Sequence, residues 1–68
     1  MKSISGKKLC KVLEKRGWKL ARVKGSHHIY TQENVSKIII IPVHGNRDLP
    51  TGTLKGILRD AGLTENDF

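Results

Sequence analysis

The sequence predicts an α+β fold in the order α-β-β-β-α, with two helices packed on one face of a three-stranded antiparallel sheet. Three observations carry that expectation. Apolar residues recur at helical spacing near both ends of the chain, alternating and β-branched runs fill the middle, and a Gly-Ser pair separates two of those runs. At 68 residues the chain makes one domain, 1–68. A domain of this size buries about 60% of the surface that its unfolded chain exposes, which suits a single two-layer core.

The first helix is expected from about Gly6 to Arg16. Ser5 is a suitable N-cap, and Ile4 before it can staple onto Leu9. Leu9, Val12 and Leu13 share a face with lysines around the rest, and Gly17 ends the helix as a left-handed cap. From Trp18 the period becomes two: Trp18, Leu20 and Arg22 fall on one side of a strand, Lys19, Ala21 and Val23 on the other. "HHIYTQ" reads as the second strand and "KIIIIPV" as the third, with apolar residues on both faces. Gly25-Ser26 suits a two-residue type II′ hairpin loop, the polar "ENVS" joins strands two and three, and Pro42 fits an edge or a strand terminus. In the last helix Leu54, Ile57, Leu58 and Ala61 form one stripe, with Thr51 as N-cap, Gly62 after the end and Leu63 closing back on Leu58. "TENDF" adds a final turn in which Thr64 and Asp67 cap each other and Phe68 plugs the core.

Composition narrows the function classes. A domain this small has no room for a deep metabolic cavity, so a substrate must lie across its surface. The single cysteine, Cys10, excludes an internal disulfide and a cysteine-based zinc site, and reads as a partly buried structural thiol. No secretory leader is expected, and the longest apolar stretch, "IIIIPV", is too short to cross a bilayer. The expected location is the reducing cytoplasm.

Charge is polarised. The chain carries 13 Lys and Arg against six Asp and Glu, for a net +7. Residues 1–24 hold nine of the basic side chains and one acid, Glu14, while the remainder is close to neutral. A basic end on a small domain points to a polyanion, because neutralising phosphates releases condensed counterions. Nucleic acid is therefore the expected partner and a membrane is not, since the basic segment is expected to expose no large apolar anchor apart from Trp18.

The paired histidines of "KGSHHIY" are the candidate chemistry. His27 and His28 are consecutive in a strand and point to opposite faces, so they do not share a metal ion. Neither a metal site nor a cofactor is expected. Ser26 beside His27 is also not a catalytic triad, whose members meet through the fold. Cleavage of RNA asks for less, because the neighbouring 2′-hydroxyl is the nucleophile. A histidine moves protons near neutral pH, and cations and backbone N–H groups stabilise the phosphate. Around His27 these parts are present: Arg22 and Lys24 supply charge, and Gly25 lets the backbone approach a phosphate. The plainer alternative is a hairpin with half-exposed histidines. His28 and Tyr30 share the other face, as packing or RNA-stacking residues.

Three segments together resemble the HicA toxins of toxin–antitoxin pairs. "SGKKLCKVLEKRGW" resembles the family's first helix, "RVKGSHHIY" its R-x-x-G-S-H signature, and "IPVHGNRDLPTGTLKGILRDAGLTENDF" its P-x-H, G-T-L and A-G-L elements. Trp18, where phenylalanine is common, and Pro50 are small departures. The resemblance implies a double-stranded-RNA-binding-like fold and a metal-independent endoribonuclease that cleaves mRNA. It places the catalytic histidine on His27, with Gly25 and Ser26 as its signature neighbours, and implies a HicB-like antitoxin as partner. Lys7, Lys11, Arg22 and Lys24 are the expected phosphate contacts. A non-catalytic RNA-binding module of the same fold is the alternative from another class, because such folds mostly read RNA shape without cleaving.

Overall fold

Helix α1 (Gly6–Lys15) starts where the sequence places its cap: the Ser5 hydroxyl accepts a hydrogen bond from the Lys8 amide at 3.2 Å. The structure, a computed structural model, describes residues 3–68. At the far end Gly17 adopts φ 91, and the Trp18 and Gly17 amides donate back to the Leu13 and Glu14 carbonyls. That is a complete Schellman closure. The helix stops at Lys15, with Arg16 as its C-cap. Its buried face centres on Leu9, Cys10 and Leu13, and Val12 packs at the margin.

Among the described residues, β1 (Lys19–Lys24), β2 (His27–Gln32) and β3 (Val35–Pro42) follow, then α2 (Thr51–Ala61) and a 3-10 turn over Glu65–Asp67. The strands form one antiparallel sheet in the order β1-β2-β3. Both helices lie on one face of it, where Tyr30, Ile39 and Ile41 join Leu9, Leu13, Leu54, Ile57 and Leu58 in the core. Pro42 ends an edge strand, where its missing N–H costs no ladder bond. No helix of the described residues is long and apolar enough to cross a membrane.

Four details differ from the sequence reading. The alternation expected along strand one breaks at a bulge, because the register with β2 shifts between Leu20 and Arg22. Trp18 is buried just ahead of β1, whereas every residue of β1 itself is exposed at the sheet edge. Strand three begins at Val35 rather than Lys37: Asn34 takes φ 66, a left-handed conformation that asparagine tolerates, and the reversal is tight enough for Val35 to pair with Gln32. The α2 N-cap is Pro50, not Thr51. With φ −56 and ψ 144, Pro50 holds the chain extended while its carbonyl accepts from the Leu54 amide, and no side chain caps the helix.

The C-terminal end follows the sequence closely. Gly62 adopts φ 70, and the Leu63 amide returns to the Leu58 carbonyl at 2.8 Å. Thr64 and Asp67 form a reciprocal capping box, Asp67 also pairs with Arg16 at the end of α1, and Phe68 packs against the core. The Thr64 amide, followed by the Arg16 guanidinium, holds the Asp67 carboxyl below its ordinary range. A carboxylate with a depressed folded-state pKa stabilises above its unfolded value and loses that contribution as pH falls through the folded one. Asp67 is therefore expected to titrate below the ordinary aspartate range, with the Thr64 amide resonance moving in step. A Thr64 amide that titrates at the ordinary value would contradict the fastening.

Candidate functional site

The hairpin between β1 and β2 is built by two residues. Lys24 pairs with His27, so Gly25 and Ser26 alone make the reversal. Gly25 has φ 59 while Ser26 stays outside the left-handed region, the pattern of the II′ turn. A side chain at position 25 would meet nothing within 4 Å, so backbone conformation, not crowding, is what requires glycine there. The Ser26 carbonyl accepts the Val43 amide at 2.8 Å, which ties the turn to the chain leaving β3.

Register then assigns the faces. Lys24, His27 and Pro42 form one cross-strand row, and Arg22, Ile29 and Ile40 form the next, both on the face that carries no helix. Directly opposed side chains have Cβ atoms about 4.5–5.5 Å apart. Lys24 is thus the immediate neighbour of His27, and Arg22 lies one row away. His27, Lys24 and Arg22 are all exposed. Ile38 and Ile40 are exposed on the same face at 55% and 46%, so the cations border an apolar strip.

The opposite face holds the other pair. His28 is half-buried between Val23 and Ile41 in register. Tyr30 is 1% exposed and belongs to the core, which leaves packing rather than base stacking as its role. Its hydroxyl donates to the Glu14 carboxylate at 2.6 Å. The lone acid among the basic residues of the first 24 is therefore the acceptor of a core tyrosine, a pairing that sequence spacing does not reveal. Burial first, and then the bond to Glu14, pushes the Tyr30 phenol well above its ordinary range, and burial also raises the Cys10 thiol. Tyr30→Phe is expected to cost about 1.5–3 kcal/mol in urea unfolding, the usual net contribution of a hydrogen bond to a charged group. A thiol reagent is expected to label Cys10 only as fast as the chain unfolds; rapid labelling of the native protein would contradict its burial.

The predicted phosphate contacts divide. Arg22 and Lys24 share the His27 face, and Gly25 and Ser26 adjoin it. Lys7 and Lys11 are exposed on α1, in the helical layer. Gly6 nevertheless brings the start of α1 to this end of the sheet: a Cβ there would stand 2.3 Å from the Pro42 carbonyl oxygen. Lys7 follows it directly. Among the described residues no three His, Cys, Asp or Glu side chains gather to hold a metal ion.

Sequence reasoning missed a cleft of about 230 Å³ beside this end of the sheet. Pro42, Leu49 and Pro50 supply its apolar lining, and His44, Arg47, Asp48 and Thr53 its polar groups. These residues all lie on the return from β3 to α2, within 42–53, and the folded path of that segment closes them into a cleft. The two prolines that bracket a polar loop are the one signal that the sequence offers.

The family profile described as the HicA toxin of bacterial toxin–antitoxin systems matches residues 6–63. That span runs from the first residue of α1 to the closure of α2, and includes the whole hairpin and both cross-strand rows. No curated protein matches the chain.

Proposed function

The chain belongs to the HicA toxin family, and on that premise we propose that it is a metal-independent endoribonuclease acting on cytoplasmic mRNA, with His27 as its general acid–base. A HicB-like antitoxin holds it in check. The observation that carries this reading is the row on the open face: His27 is exposed, Lys24 stands directly across from it, and the Gly25-Ser26 turn adjoins both.

The chemistry needs no protein nucleophile. The 2′-oxygen forms a bond to phosphorus, the bond to the 5′-oxygen breaks, and the proton lost at the first oxygen is made good at the second. His27 moves a proton at the scissile phosphate, while Lys24 and Arg22 stabilise the charge that develops there. A flat, exposed sheet face suits a long substrate that lies across it, as the size of the domain requires. Basic side chains on the helical layer, Lys7 and Lys11 among them, attract the rest of the strand.

The purified chain is expected to cut a structured mRNA in the presence of EDTA and to leave 2′,3′-cyclic phosphate ends. Binding without cleavage would leave the non-catalytic RNA-binding module as the reading. Arg22→Ala and Lys24→Ala are each expected to weaken binding at many sequences and to lower the salt slope by about one. Affinity that is indifferent to salt would remove RNA as the partner of this surface. Expression without an antitoxin is expected to arrest growth, and a copurifying HicB-like protein is expected to restore it.

A further inference from the structure

The cleft beside the sheet has no part in the proton transfer, yet it shares a wall with the site. Pro42 is both a lining residue and the cross-strand partner of His27. From its walls and its polar groups we infer that it seats one unstacked base of the RNA next to the scissile phosphate, and so sets the sequence preference of cleavage. The inference rests on the reading of His27 as the cleaving residue.

The walls are fixed by backbone bonds rather than left as a loose loop. The Val43 amide donates to the Ser26 carbonyl at 2.8 Å, the Arg47 amide to the His44 carbonyl at 3.2 Å, and the Leu49 amide to the Ile4 carbonyl at 2.8 Å. Asp48 bridges to Ser5, and Leu49 is buried in the core. The backbone that a base would meet is thus tied at three points, while His44, Arg47, Asp48 and Thr53 present exposed side chains to it.

Size and chemistry then select the ligand. At about 230 Å³ the cleft lies below the 300–1,000 Å³ typical of drug-sized sites, which suits a single planar ring. Pro42, Leu49 and Pro50 offer an apolar floor, and the Arg47 guanidinium is a plane on which a base can stack. A base edge presents donors and acceptors together. The cleft answers with donors from Arg47, an acceptor in Asp48, and the two-way hydroxyl of Thr53. Among the described residues, the Arg47 and Asp48 side chains make no ion pair with each other or with a neighbour. A bare phosphate fits this set less well, because Asp48 repels it.

Two measurements test the cleft separately from the cleavage. In amide NMR, titration with the four nucleoside monophosphates is expected to shift His44, Arg47, Asp48 and Thr53 with at least one base. Inorganic phosphate is expected to leave them in place, and Arg47→Ala to weaken the effective nucleotide about tenfold. No shift at these residues, or the same shift with phosphate, overturns the inference whether or not the chain cuts RNA. Mapping of cut sites on a random RNA pool is the second. Wild type is expected to favour one base at a fixed position from the cut, and Arg47→Ala and Thr53→Val to keep cutting while that preference falls about tenfold. An unchanged preference in both variants overturns the inference. A wild-type chain that cuts nothing overturns the endoribonuclease reading instead, and the nucleotide titration still decides the cleft.

Discussion

Gly6→Ala is expected to lower stability by about 1–3 kcal/mol, the usual cost of forcing an atom into packed space. The added Cβ would lie 2.3 Å from the Pro42 carbonyl oxygen, 3.2 Å from its carbon and 3.3 Å from Ile41 Cγ2. The first two are backbone atoms at the end of β3, so no rotamer change relieves the contact and α1 itself must move. In a domain of this size each kcal/mol lowers the melting temperature by roughly 4–8 °C. Gly56→Ala is the internal control. Gly56 sits inside α2 with nothing within 4 Å of its Cβ position, so alanine there is expected to stabilise by about 0.5–1 kcal/mol through helix propensity. Thermal melts followed by circular dichroism check both signs. A neutral Gly6→Ala would mean that α1 does not rest on β3 as described. The same displacement reaches the site, because Pro42 pairs with His27.

Element order, every cap but the start of α2, and the core face of α2 were legible because each has a local cause. Ser5 reaches the amide of Lys8 three residues on, and Gly17 and Gly62 take the left-handed φ that ends a helix. Thr64 and Asp67 cap one another across three residues. The errors came where a neighbouring strand or a rigid residue decides. Whether Ala21 has a cross-strand partner depends on β2, so a bulge is invisible in β1 alone. Pro50 displaced Thr51 as the cap because a fixed backbone, rather than a side-chain oxygen, sets the start of α2.

The site was legible in part for the same reason. Strand alternation separates His27 from His28, and a two-residue turn makes Lys24 and His27 partners. Both follow from a few residues in sequence. Nothing local places Ile40 or Pro42 beside them, and the path of residues 42–53 that folds His44, Arg47 and Thr53 into a cleft depends on how β3 returns to α2. Glu14 and Tyr30 meet only when α1 packs on the sheet. Charge polarity does not tell on which face each lysine sits.

His27→Ala carries the largest expected effect on function. A positioned acid–base group contributes about 10²–10⁴-fold, so cleavage is expected to fall by that factor. The side chain is exposed on the sheet and takes no part in the core, so stability is expected to stay within about 0.5 kcal/mol. RNA affinity is expected to persist, because the cations proposed to hold phosphate are untouched. His28→Ala provides the contrast: its side chain lies on the helical face, where a change alters packing before it alters chemistry. The decisive measurement is the single-turnover cleavage rate of wild type and His27→Ala on one structured mRNA in EDTA, with RNA binding and melting temperature recorded for the same samples. A rate loss of about 10²–10⁴-fold with binding and melting unchanged is the expected result. Equal rates in the two proteins would contradict it.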